Sequence, residues 1–116
     1  MGIDVTANVI PINEIASTSI DVALVLKTLG DANRLRIFAL LRQGERCVCD
    51  IEAATRLPQN LVSHHLRALR EVGLIECRRD GRWAYYAINS ECLRRVQDTL
   101  GLLLDPATVS NTRAAC

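Results

Sequence analysis

The chain of 116 residues is 49% hydrophobic and 23% charged, which suits one small globular domain and leaves no room for a second. Its longest purely apolar runs, Val22–Leu26 and Ile37–Leu41, are far shorter than the roughly 20 residues that span a bilayer. No signal-peptide apolar region is present either, so a soluble cytoplasmic protein without membrane contact is expected. The formal net charge of +1 divides into −3 over residues 1–31, +5 over 32–95 and −1 beyond, and every cation except Lys27 is arginine. A basic middle between acidic ends points to a polyanionic partner, and the planar guanidinium suits phosphates and guanine edges.

Residues 1–15 lack periodicity and contain Pro11, so they read as a flexible arm. Residues 16–29 predict a helix that Val22 to Leu26 make apolar nearly all round. Such a helix needs burial on two sides, one of them against a partner subunit, with Leu24 at that interface. Gly30 stops it, Asp31 caps a second helix running to Gln43, and Gly44 closes that helix. Leu35, Ile37, Phe38, Leu40 and Leu41 are its expected core residues. A short helix from Asp50 to Arg56 follows, packing through Ile51, Ala54 and Leu57. After Pro58, a longer helix runs from Gln59 to about Val72, where Gly73 stops it. Val62, Leu66 and Leu69 form its buried stripe, leaving Gln59, Asn60, Ser63, His64, Arg67 and Arg70 on the outer arc. His65 borders the stripe and reads as a core histidine with satisfied nitrogens.

Leu74 to Arg78 and Trp83 to Ile88 predict a β-hairpin, with Asp80-Gly81 as a type I′ turn and Arg78, Arg79 and Arg82 gathered at its tip. A last helix from Ser90 to Leu104 places Leu93, Val96, Leu100 and Leu103 at the spacing of a helix-pairing seam. Pro106 ends it, and residues 105–116 read as a flexible tail. The architecture is therefore mainly α: four helices, a hairpin and a fifth helix over residues 16–104. A domain this small often completes its burial by dimerising.

Two helices joined by a tight turn, the second with an outer arc of amides, hydroxyl, imidazole and guanidinium, have the form of a helix-turn-helix. The arginine-rich hairpin directly after makes it winged. Gln59 and Asn60 are placed to read base edges in the major groove of double-stranded DNA, and Ser63, His64 and Arg67 to follow one turn later. Arg78, Arg79 and Arg82 would hold phosphates or the minor groove. No paired base and nucleophile and no phosphate-cradling glycine loop is present, so an enzyme is not expected.

Three stretches together resemble the ArsR/SmtB family of metal-responsive winged-helix repressors: Leu29-Gly30-Asp31-Ala32-Asn33-Arg34-Leu35-Arg36-Ile37, the run from Leu57 through Ser63-His64-His65 to Leu74, and Asp80-Gly81-Arg82 with Tyr85-Tyr86. The resemblance covers about Leu24 to Leu104. It implies a homodimer paired through its first and last helices, which blocks an operator until an inducer weakens binding. No cofactor would be needed for DNA binding itself.

The five cysteines are an odd number, and in a reducing compartment free thiols are expected. Cys47 and Cys49 stand at the start of the third helix, where a helix N-terminus favours thiolates, and thiolates suit soft ions. Residues i and i+2 of a regular helix point about 200° apart, so one ion reaches both only where the backbone is not helical. Capturing it would then pull out the helix's first turn. In the family, Cys-x-Cys here is the thiolate motif of arsenic, cadmium and lead sensors. The position of a third cysteine in such arsenic sensors is Glu52, residues 1–46 contain no cysteine, and residues 90–104 contain no histidine. Trivalent arsenic or antimony is thus the favoured inducer, with cadmium(II) or lead(II) as the alternative. Cys116 is the favoured third ligand, Cys92 or water being others, while Cys77 reads as structural. A redox- or persulfide-responsive repressor using the same thiols is the competing function.

Overall fold

The computed structural model describes residues 22–113. Residues 22–29 are helical (α1), followed by α2 (Ala32–Leu41), β1 (Arg46–Cys47), α3 (Val48–Thr55), α4 (Gln59–Glu71), β2 (Ile75–Asp80), β3 (Trp83–Ile88), α5 (Ser90–Leu103) and a short 3₁₀ turn (Pro106–Thr108). The expected start of α1 near residue 16 and the arm before it lie outside the described residues. The 3₁₀ turn, capped by the Asp105 carboxylate on Ala107 N–H, occupies part of the segment expected to be a tail.

Local chemistry sets the helix ends. The Asp31 carboxylate accepts from Asn33 and Arg34 N–H at 2.9 and 3.1 Å, and the Arg34 amide, chiefly, holds this carboxyl below its ordinary range. Asn89 caps α5 in the same way. Helix α4 ends in a Schellman motif: Leu74 N–H donates to Leu69 O and Gly73 N–H to Arg70 O, with Gly73 at φ +82°. Arg56, at φ 60° between α3 and α4, takes the left-handed conformation without being glycine, and so carries steric strain of about 1–2 kcal/mol in the helix-turn-helix turn.

The core gathers Val25 of α1, Ile37, Phe38 and Leu41 of α2, Ile51 of α3, Val62, Leu66 and Leu69 of α4, Leu74, Ile75, and Val96 of α5. The predicted stripe of α4 is therefore the central one. Two expected core residues are not buried: Leu35 is 51% exposed, and Ala54 is also exposed. Both lie on the solvent side of short helices whose single buried face is already occupied by Ile37 and Phe38, or by Ile51 and Thr55. The helices also end slightly earlier than the apolar pattern suggests: α2 at Leu41 and α3 at Thr55.

The sheet has three strands rather than the expected two, in the order β1-β3-β2, all antiparallel. Strand β1 is too short to show a sequence period and exists only through its pairing of Arg46 with Tyr86 and Cys47 with Tyr85. The hairpin closes more tightly than expected, since Asp80 pairs with Trp83 and leaves only Gly81 and Arg82 in the turn. Gly81 (φ +63°) alone has positive φ there, so the turn belongs to the II′ rather than the I′ class. Arg78 and Arg79 consequently lie in strand β2, and only Arg82 sits at the tip.

Candidate inducer and DNA-binding site

Helix α4 presents Gln59, Asn60, Ser63, His64 and Arg67, all exposed, opposite its buried Val62, Leu66 and Leu69. Its N-cap is Pro58, with no side-chain cap; Leu61 N–H donates to Pro58 O, which leaves the Gln59 and Asn60 N–H groups available to an anion. Behind this surface, Arg34 ties the elements together: its Nε donates to Thr28 O at 2.7 Å and its Nη1 lies 3.4 Å from His65 Nδ1. His65 is buried as expected but only half satisfied, because its Nε2 has no partner among the described residues. Burial is the first cause that lowers its pKa from 6.5.

The wing arginines separate into different environments. Arg78, Arg79 and Arg82 are all exposed, but Arg78 donates through Nε and Nη2 to the Glu45 carboxylate at 3.2 and 2.7 Å and lies 4.8 Å over the Tyr85 ring. Of the residues expected at a dimer face, Val96 is instead buried in the protomer's own core, because α5 turns this residue onto α1 and α4, while Leu93 and Leu100 are half-buried against that core. A cavity of about 740 Å³ runs between α1 and α5, bordered by Leu26, Leu29, Leu93, Val96 and Leu100. Beside it Leu24 and Leu103 are exposed at 49% and 46%.

Cys47 and Cys49 come together. Cys47 is the N-cap of α3 with extended backbone (φ −84°, ψ 168°), and the ligand atoms of Cys47, Cys49 and Asp50 all lie within 4.8 Å of one another. The helix start is already non-helical at Cys47, so the two sulfurs meet without the expected unwinding of the first turn. Cys47 and Asp50 form a capping box, in which Cys47 N–H donates to Asp50 Oδ2 at 3.4 Å. That spacing of a cap residue and a carboxylate three positions on is the sequence signal that could have revealed Asp50. The electrostatics also differ from expectation: a hydrogen bond with the Cys49 thiol, then burial, then the Asp50 side chain hold the Cys47 thiol above its ordinary range, outweighing the Asp50 N–H. Helix-terminus stabilisation of a thiolate is real but here loses to those effects.

Cys92 lies elsewhere, lining a cavity with Val25, Arg70 and Val96, and Cys77 pairs with Tyr86 on the wing. Cys116 lies outside the described residues. A cavity of about 390 Å³ joins Cys47 and Cys49 to Gln59 at the start of α4 and to Arg82, Trp83 and Ala84 of the wing, with Glu52 on its wall. No sequence signal marks Trp83 as a site residue, because only the return of β3 beside β1 brings it to the thiols.

Among the described residues no helix is long and apolar enough to cross a membrane. Residues 31–76 match the model of the family described as bacterial regulatory protein, arsR family. The chain is 40% identical over 83 residues to the arsenic resistance transcriptional regulator ArsR1 of Pseudomonas putida, covering 71% of this chain and 65% of that protein, just under two thirds of its length. It is 32% identical over 96 residues to an arsenical resistance operon repressor of Staphylococcus aureus, covering 83% of this chain and 88% of that one. Among solved structures, it resembles the solution structure of a homodimeric winged helix-turn-helix DNA-binding domain from Mycobacterium bovis, described as a possible ArsR-family transcriptional regulator. The TM-score is 0.64 at 33% identity, over 88% of this chain and 94% of that one. With the winged helix-turn-helix fold and these likenesses together, the chain belongs to the arsR family of bacterial regulatory proteins, regulators of transcription rather than enzymes.

Proposed function

We propose that this protein is a homodimeric, cytoplasmic repressor that binds double-stranded operator DNA without a cofactor and releases it when trivalent arsenic or antimony binds Cys47 and Cys49. The observation that carries this reading is the shared cavity: the two thiols open onto the same space as Gln59 of the recognition helix and Arg82 of the wing. Gln59, Asn60, Ser63, His64 and Arg67 would read or position the major groove, while Arg79 and Arg82, with Arg78 held back by Glu45, would meet phosphates. The relatives named for arsenic resistance support the choice of element.

Release follows from connectivity. Cys47 belongs at once to strand β1, paired with wing residue Tyr85, and to the cap of α3, whose Ile51 packs into the core beside α4. Drawing the two sulfurs onto one atom therefore shifts the wing and the recognition helix relative to each other. A coupling of about 1–3 kcal/mol is enough to weaken DNA binding roughly 5–150-fold.

Under full reductant, Cys47→Ser and Cys49→Ser should each bind a duplex selected from a random pool as tightly as wild type, yet fail to release it on addition of arsenite or antimonite. Normal release by both variants would move the sensor elsewhere. Cadmium, lead and zinc belong in the same titration, since Asp50 supplies an oxygen beside the sulfurs that suits the harder of these ions. Release by oxidant alone would instead favour the thiol redox reading.

A further inference from the structure

The thiol cavity is larger than a bare ion needs. Among the described residues, Cys47, Cys49 and Asp50 form the one close group of three metal-ligating side chains, and only two of these are sulfurs. Asp50 is already engaged by the Cys47 N–H, and its hard oxygen is a poor partner for a soft element. Among the described residues, which do not include Cys116, two sulfurs leave the third valence of trivalent arsenic unfilled. The space beside them, about 390 Å³, is within the range of sites that hold small organic molecules, roughly 300–1,000 Å³. A water-sized hydroxyl would fill only about 30 Å³ of it. Its lining includes Trp83, the chain's single tryptophan, which is 54% exposed although aromatic residues normally find cover.

We propose that the ligand best matched to this site is a trivalent arsenical carrying one organic substituent, whose arsenic is held by Cys47 and Cys49 while the substituent lies against Trp83. This rests on the arsenic-class reading above and narrows it. The chemistry balances: in R–As(OH)₂ two As–O bonds break and two As–S bonds form, each thiol proton leaves with a hydroxide as water, and arsenic stays trivalent. The As–C bond occupies the third valence, so no third protein sulfur is called for. An aromatic substituent gains additionally from stacking or edge contact with the indole. Because Trp83 adjoins Arg82 at the wing tip, the substituent would occupy space next to a DNA-contacting residue.

The test compares arsenous, methylarsenous and phenylarsenous acids for release of the selected duplex from the full-length reduced protein. Both organic forms should release DNA at lower concentration than arsenous acid, and the phenyl form at a concentration lower than the methyl form by roughly 2- to 13-fold. Trp83→Ala should bring the phenyl-to-methyl ratio close to one, and Trp83→Phe should largely restore it. The ratio is taken within each variant, so any change in DNA affinity cancels. Equal potency of phenyl and methyl forms on wild type, an unchanged ratio in Trp83→Ala, or greater potency of arsenous acid would overturn the inference while leaving the arsenic-sensor reading intact. If no arsenical releases DNA, or if Cys47→Ser and Cys49→Ser respond as wild type, the sensor reading fails and this inference falls with it.

Discussion

His65 shows how much a single side chain can report. Arg34 can only donate, so His65 Nδ1 accepts from it and the ring proton sits on the buried Nε2, which lacks a partner among the described residues. An unsatisfied buried donor costs about 1–3 kcal/mol, and adding a second proton would set a cation beside Arg34. Folding therefore lowers the pKa below 6.5. In the window below 6.5 the unfolded chain binds the proton first, so stability declines as pH falls through that window and is level above it. Urea unfolding at about pH 7.5 and 5.5 should show this decline in wild type, and His65→Leu should flatten it; an undiminished decline in the variant would assign it to other groups. A core position for this histidine was legible from its distance along α4 to Val62. Its half-satisfied state was not, because Arg34 lies 31 residues away.

At the scale of elements, the recognition helix was the most legible part, because a 13-residue helix repeats its apolar stripe often enough to identify its inner and outer faces. The wing was legible as a hairpin but not in its register. Asp-Gly signals a turn, yet cross-strand pairing decided that Gly81 and Arg82, rather than Asp80 and Gly81, form its centre. That shift separates the arginines and sharpens the prediction. Arg82→Ala should weaken binding to all duplexes alike, and the slope of log affinity against log salt should fall by about 1 for each phosphate that its guanidinium neutralises. Arg67→Ala should weaken the selected duplex more than a random one. Salt-titrated binding of both variants checks this; an unchanged slope for Arg82→Ala would remove Arg82 from the phosphate-binding set. Strand β1 was invisible, since two residues carry no period, yet it links Cys47 to the wing.

For the whole molecule, the exposed apolar residues of α1 and α5 matter most. Leu26, Leu102, Leu103 and Leu104 are 46–73% exposed, and the cavity that Leu26 and Leu104 line continues a core that spans both terminal helices. Contiguous apolar surface of this kind marks an association face, and a two-fold dimer would cover it with its own counterpart. Leu100→Lys, which sets a charge at the edge of that cavity, should sediment as a monomer and bind the selected duplex at least about tenfold more weakly, because half-site binding loses the second reading helix. A dimer that persists in the variant would place the interface away from α5.

The sequence by itself determined the helix boundaries set by Asp31, Pro58 and Gly73, the start of the last helix at Ser90, the buried stripe of α4, the basic middle of the chain and the pairing of Cys47 with Cys49 as neighbours. These depend on interactions within a few residues, and local chemistry is written in local sequence. Only the tertiary structure decided that Cys47 is extended enough for both thiols to meet, that its thiol is raised rather than lowered, and that Trp83 and Gln59 share their cavity. Each of those outcomes depends on burial or on residues distant in the chain, and neither has a period or spacing for a sequence to display.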